Sequence, residues 1–199
     1  MTPPARARMG AAPAPGLRVI AGRWKGRRLI APPGAATRPT SERARQALFD
    51  MLWHAPWAGR GRIEGAEVLD AFAGTGALGL EALSRGAARA SFLESDRAAL
   101  AALRANIAAC AAGEAARVIP ADATRPPRAA SPASLVFLDP PYGAGLAGPA
   151  LAALEAAGWI APGALVCLEL GPRDAPPETR LAPLAERAHG KARLLVLGA

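Results

Sequence analysis

The chain reads as an α/β protein built on one mostly parallel sheet, and three observations predict this. Leu135-Val136-Phe137-Leu138 is an unbroken apolar run stopped by Asp139-Pro140-Pro141-Tyr142. Such a run suits a strand buried on both faces, and the prolines forbid its continuation. Upstream, Val68-Leu69-Asp70-Ala71-Phe72-Ala73-Gly74-Thr75-Gly76-Ala77-Leu78-Gly79-Leu80 has the form of a short strand, a glycine turn and a helix start. Around these two segments, short apolar runs alternate with alanine-rich helical stretches, the signature of βαβ units.

Taken in order, the pattern predicts strands near residues 67–70, 90–94, 116–120, 134–139 and 164–170. A helical segment runs from Arg97 to Ala111, and an antiparallel hairpin near Arg180 to Leu197 closes the sheet. At 199 residues the chain holds one such domain and a modest appendage.

Asp139 stands at the carboxyl end of its strand, the edge where open α/β sheets bind ligands. Tyr142, three positions on, is placed to stack on a planar ring. The plain alternative is a strand that ends in a rigid turn. Asp139-Pro140-Pro141-Tyr142 resembles the signature of amino-methyltransferases, which methylate the exocyclic nitrogen of adenine, guanine or cytosine, or a glutamine amide.

Gly74, Gly76 and Gly79 satisfy G-x-G-x-x-G, and Glu94 follows Gly74 by twenty residues at the end of the next strand. By spacing alone this turn suits a dinucleotide. Glycines let the backbone approach a ligand, helix amides face an anionic group, and an acid accepts hydrogen bonds from ribose hydroxyls. Asp70 discriminates: a carboxylate just before the turn repels a pyrophosphate, yet holds the ammonium group of S-adenosylmethionine directly or through water. Asp122, after the 116–120 strand, is placed to accept from the adenine amino group, with an N-cap or Asx turn as the local alternative. The expected cofactor set is Asp70, Phe72, Gly74, Gly76, Glu94, Asp122 and Asp139. Asn106, in the middle of its helix, reads as solvent-facing or as a packing polar residue and takes no role.

Charge is unevenly placed. Residues 1–62 carry twelve basic and two acidic side chains, a net +10, whereas residues 63–199 carry twelve and fourteen, a net −2. A near-neutral domain with a basic leader is the profile expected for a polyanionic partner. Cys110 and Cys167 stand alone, and His54 and His189 are the only histidines, so neither a zinc motif nor a disulfide framework is visible. No metal is expected. No apolar run reaches membrane-spanning length, and the first fifteen residues lack the apolar core of a secretory signal, which points to a cytoplasmic protein.

Three segments follow from this: a disordered tail over residues 1–15, a basic nucleic-acid-binding hairpin and helix over 16–62, and a catalytic domain over 63–199. Residues Leu17 to Ile30 alternate apolar and basic side chains around Gly22 and Gly26, as in a β-hairpin or two short strands. Arg23, Lys25, Arg27 and Arg28 are its candidate phosphate contacts, and Trp24 reads as packing. Next, Thr40 or Ser41 suits an N-cap, and Ala44, Ala47, Leu48, Met51 and Leu52 form the stripe of an amphipathic helix. Arg38, Arg43 and Arg45 crowd its N-terminus. Cations there oppose the helix dipole, which favours an anion-facing role.

The hairpin from Arg18 to Leu29, the segment Arg38-Pro39-Thr40-Ser41-Glu42-Arg43-Ala44-Arg45-Gln46-Ala47-Leu48-Phe49, the glycine loop from Asp70 to Gly79 and Leu138-Asp139-Pro140-Pro141-Tyr142 together resemble the bacterial 16S ribosomal RNA guanine-N2 methyltransferase family, the RsmD type. The first two segments are the specific ones. The resemblance implies a Rossmann-like class I S-adenosylmethionine-dependent methyltransferase sheet, a C-terminal antiparallel hairpin and a small basic N-terminal extension. It further implies a monomeric cytoplasmic enzyme that methylates N2 of one guanine of small-subunit rRNA, guanine 966, within an assembling ribosomal particle. Asp139, Pro140, Pro141 and Tyr142 are then the catalytic group, and Arg23, Lys25, Arg27, Arg28, Arg38 and Arg43 the RNA contacts. Gly143-Ala144-Gly145 and His189-Gly190-Lys191 depart from the family pattern, and both bear on the choice of nucleotide. Three other readings stay open: an adenine-N6 DNA methyltransferase, a nonenzymatic nucleic-acid-binding protein on the same scaffold, and an NAD-dependent enzyme. The lack of a separate target-recognition domain argues against the first.

Overall fold

A computed structural model describes residues 13–32, 42–190 and 192–199. Its main sheet has seven strands: β3 (Glu67–Ala71), β4 (Arg89–Glu94), β5 (Ala116–Pro120), β6 (Ala133–Leu138), β7 (Ile160–Leu170), β8 (Ala182–His189) and β9 (Ala192–Gly198). Their spatial order is β5-β4-β3-β6-β7-β9-β8, with β5 through β7 parallel and β9 antiparallel to both neighbours. The expected parallel sheet with a closing hairpin is therefore present. Chain order reverses at β3, so the crevice at the carboxyl ends of β3 and β6 is the topological switch point.

The two faces of the sheet use alternate residues of each strand. Val68, Phe92, Leu135, Phe137 and Cys167 pack under α2 (Ala77–Ser84) and α3 (Arg97–Ala109). Leu69, Leu93, Val136, Leu138 and Val166 pack instead against α4 (Ala147–Ala156) and Trp159. Strand β7 begins four residues earlier than the apolar run suggested, and β6 stops at Leu138, leaving Asp139 one residue past its end.

The N-terminal hairpin is present as β1 (Pro13–Arg18) antiparallel to β2 (Arg28–Ile30), with a 3₁₀ turn at Gly22–Trp24. The strand starts inside the segment read as a disordered tail. Helix α1 (Glu42–His54) follows; the candidate caps Thr40 and Ser41 lie outside the described residues. Its buried stripe is Ala44, Arg45, Leu48, Phe49 and Leu52, rotated from the expected one so that Phe49 packs on Phe137 with ring centroids 5.6 Å apart. Leu17, Val19, Leu29, Leu48, Phe49 and Leu52 share one apolar cluster with the sheet face.

Buried polar side chains dock this segment on the sheet domain. The Glu81 carboxylate, fully buried, accepts the Ile20 N–H at 2.7 Å, the Ala21 N–H at 3.0 Å and Arg85 Nε at 2.7 Å. Ser84 Oγ accepts the Trp24 N–H at 3.0 Å and donates to the Ala21 carbonyl. Asn106 is the packing polar residue of its two readings, not the solvent-facing one, and it does take a role: it is 1% exposed and bonds both backbone groups of Ile30. Arg45 corrects the anion-facing reading, since it is fully buried, donates to the Arg18 carbonyl at 2.6 Å and lies 4.0 Å from Glu81. Burial lowers its pKa from the usual arginine value, with Glu81 and Glu42 opposing.

Candidate active site

The glycine turn leaves β3 at its carboxyl end. Phe72, directly after the strand, holds a left-handed φ of 64°, a strained conformation for a non-glycine residue. Gly76 has φ 77°, and a Cβ there would stand 2.4 Å from Leu103 Cδ1. A Cβ on Gly79 would stand 2.4 Å from Phe92 Cε1, so the third glycine lets α2 lie close on the sheet. Gly74 has φ 54° and faces open space on its Cβ side apart from the Phe72 carbonyl 3.9 Å away, the cradle a ligand needs.

Two carboxylates brace this turn from below. Asp70, 1% exposed, accepts the Gly79 N–H at 2.8 Å. Burial pushes its carboxyl well above the usual range; the Gly79 bond opposes this, and nearby Asp139 and Glu94 add to it. Glu94 accepts the Gly74 N–H at 2.7 Å through one oxygen and the Ser95 and Asp96 N–H groups through the other. A carboxylate oxygen accepts two bonds, so the Gly74-bound oxygen keeps capacity for a hydroxyl. Asn106 reaches the same turn, donating to the Thr75 carbonyl at 2.9 Å.

Asp122 sits past β5 as expected, but its Oδ1 accepts both the Thr124 N–H and hydroxyl at 2.8 Å. These bonds to Thr124 hold its carboxyl below the usual value. The Asx turn that was its local alternative is thus formed.

Asp139 is half-buried beside the glycine turn, Pro140 is buried and Pro141 is exposed. By the register Ala71↔Leu138 and Ala71↔Leu93, Asp139, one residue past β6, and Glu94, the last residue of β4, stand level with Phe72. Tyr142 is 42% exposed, and its hydroxyl donates to Glu169 Oε1. Glu169 is 7% exposed, next to the carboxyl end of β7. Sequence reasoning also missed Asp174, which accepts the Gly143 N–H at 2.9 Å and the Gly171 N–H at 2.8 Å.

Arg23, Lys25, Arg27 and Arg28 are exposed together at the hairpin turn, and Arg43 is exposed on α1. Arg23 stacks on Trp24, 4.1 Å from its ring centroid, and Trp24 packs on the apolar cluster as expected. Arg38 lies outside the described residues. Among the described residues no group of acidic, histidine or cysteine side chains is placed to hold a metal ion, and no helix is long and apolar enough to cross a membrane.

The strand order, the glycine turn at the switch point and the carboxylates around it define a Rossmann-like fold of the class I S-adenosylmethionine-dependent methyltransferases. The profile of a family described as "Conserved hypothetical protein 95" matches residues 17–197. Ribosomal RNA small subunit methyltransferase D of Escherichia coli K12 is 44% identical over 154 residues, 77% of this chain and 74% of that one. Its namesake from Haemophilus influenzae is 38% identical over 157 residues, 77% and 78% of the two chains. Among solved structures, a putative methyltransferase from Escherichia coli superposes with a TM-score of 0.77 at 37% identity, covering 92% of this chain and 97% of that one. The chain belongs to this family, the RsmD-type methyltransferases.

Proposed function

We propose that the protein transfers a methyl group from S-adenosylmethionine to the exocyclic N2 of a guanine in bacterial 16S rRNA, guanine 966 by family resemblance. One observation carries the reading. Asp70 and Glu94 both accept backbone N–H groups of the glycine turn, and Asp139 stands level with Glu94 on the other side of β3. Such a concentration of negative charge suits a cationic cofactor and opposes the pyrophosphate of a dinucleotide. The open cradle at Gly74 and the spare capacity of Glu94 fit the rest of that ligand. Bound there, S-adenosylmethionine supplies an electrophilic methyl group.

The chain's own residues do the remaining work. Guanine N2 is a weak nucleophile because its lone pair is delocalised into the ring. Asp139 and the Pro140 carbonyl accept the two amine protons and favour a pyramidal nitrogen whose lone pair points toward the methyl carbon, while Tyr142 stacks on the flipped base. Asp139 then takes up the proton that the methylated amine gives up. Arg23, Lys25, Arg27, Arg28, Arg38 and Arg43 hold the phosphate backbone, and the enzyme works in the cytoplasm as a monomer on the assembling small subunit.

The experiment is transfer of labelled methyl from S-adenosylmethionine to unmethylated small-subunit rRNA and particles, followed by nucleoside analysis. N2-methylguanosine is expected. Label in N6-methyladenosine, or cofactor binding with no transfer to any RNA, would replace this reading with one of its rivals.

A further inference from the structure

We infer that Glu169, Gly171 and Asp174 form a mount that fixes the Tyr142 ring before a base arrives, which makes Glu169 a positioning residue for methyl transfer. The inference rests on the reading of Tyr142 as the stacking residue. All three lie outside Asp139-Pro140-Pro141-Tyr142, on the end of β7 and the loop that follows.

An exposed tyrosine ordinarily gives its hydroxyl to water. Here the residue is 42% exposed while its hydroxyl turns inward to the carboxylate of Glu169, a residue 7% exposed. By the register Leu138↔Leu168, Glu169 stands beside Asp139 on the neighbouring strand, so the anchor and the amine acceptor share one sheet edge. Among the described residues Glu169 Oε2 has no hydrogen-bond partner. A buried carboxylate so poorly satisfied is a costly choice for packing alone. It is a reasonable choice for a strong, charge-assisted acceptor that keeps one hydroxyl in place.

The root of the ring is held too. A Cβ on Gly171 would stand 3.0 Å from both Cβ and Cγ of Tyr142, so the glycine lets the ring base lie against the β7 end. Asp174 then pins the peptide after Tyr142 and the Gly171 N–H with its two oxygens. Arg193 of β9 donates to the Asp174 carbonyl, which couples the closing hairpin to the mount. Hydroxyl, root and following peptide are each fixed, so the ring loses little rotamer freedom when a base stacks on it.

Tyr142 is the chain's single tyrosine, so 3-fluorotyrosine labelling of the full-length protein gives one fluorine resonance that reports on this ring. In the free protein we expect a shift displaced from that of unfolded protein and a line broadened by restricted motion. Glu169→Ala is expected to narrow the line and move it toward the unfolded position. In methyl transfer to unmethylated particles, Glu169→Ala and Tyr142→Phe each lower kcat/KM by about five- to twentyfold. The double variant is no worse than the worse single one, Glu169→Gln recovers most of the loss, and the dissociation constant for S-adenosylmethionine stays unchanged. A narrow, mobile resonance in the unaltered protein overturns the mount, as do additive losses in the double variant. Full transfer by Tyr142→Ala overturns instead the stacking reading beneath it.

Discussion

Asn106 grips Ile30 as one strand grips the next: its oxygen accepts the Ile30 N–H at 2.8 Å and its amide donates to the Ile30 carbonyl at 3.0 Å. The same amide donates to Thr75 of the glycine turn. One buried side chain on α3 thus ties the basic hairpin to the turn read as the cofactor cradle. Replacing it by an apolar residue of similar size, Asn106→Leu, strands backbone groups of both segments and should destabilise the fold by about 2–4 kcal/mol. Urea unfolding measures this, and an unchanged midpoint would show that the two segments are held by packing alone.

Arg43 and Arg45 are two residues apart and predict opposite phenotypes. Arg45→Ala leaves Glu81 without one of its buried cationic neighbours and removes the Arg18 tether, a loss of roughly 3–5 kcal/mol. Arg43→Ala leaves stability within about 0.5 kcal/mol and weakens RNA binding. Thermal unfolding and RNA binding across a salt series separate the two. Reversing Lys25, Arg27 and Arg28 to glutamate should likewise flatten the salt dependence while the fold stays intact.

Asp70 sets a pH-dependent trade. Its folded pKa is raised, mainly by burial. A carboxyl shifted this way favours the folded state below its unfolded pKa, and that contribution is lost as pH rises through the folded value. Above its unfolded pKa the raised value costs the folded state stability, whether as a buried charge or as the proton uptake that avoids one. Asp70→Asn keeps an oxygen for the Gly79 N–H and removes the charge, so its urea midpoint should exceed that of the unaltered protein at pH 7. The gap should narrow as pH falls and close below about 4, where Asp70 is neutral in the folded and the unfolded state alike. Calorimetry should show weaker S-adenosylmethionine binding by the same variant. A midpoint gap independent of pH would contradict this account.

Asp139→Ala removes a charge-assisted hydrogen bond to the reacting amine, about 1.5–3 kcal/mol, and should slow turnover roughly ten- to a hundredfold. Cofactor affinity should fall much less than turnover, because Asp70 and Glu94 still brace the glycine turn and keep most of its negative charge. Single-turnover methyl transfer together with cofactor titration checks both halves. Unchanged turnover would remove Asp139 from the mechanism.

The features legible in the sequence are those written in neighbouring residues. The proline stop after Leu138, the glycine turn and the alternating basic hairpin each depend on a few adjacent side chains, Glu94 follows from the fixed length of one βαβ unit, and each stands where expected. Asp122 shows the limit of such reading, since its Oδ1 forms the local turn with Thr124 while Oδ2 makes none of these bonds, so the turn does not decide whether a ligand uses it. Glu81, Asn106 and Arg45 were missed because their partners are backbone groups 61, 76 and 27 positions away. A signal existed for two of them: Glu81 sits among Leu80, Ala82 and Leu83, and Asn106 between Leu103 and Ile107, polar residues on otherwise apolar helical stripes. Glu169 carried the same mark, a charge inside the apolar end of β7.

Mapping small-subunit rRNA from cells lacking this protein decides whether modification of one guanine depends on it. One N2-methylguanine should be missing, and incubating the isolated particles with the purified protein and S-adenosylmethionine should restore it. Finding every N2-methylguanine intact in those cells would contradict the account.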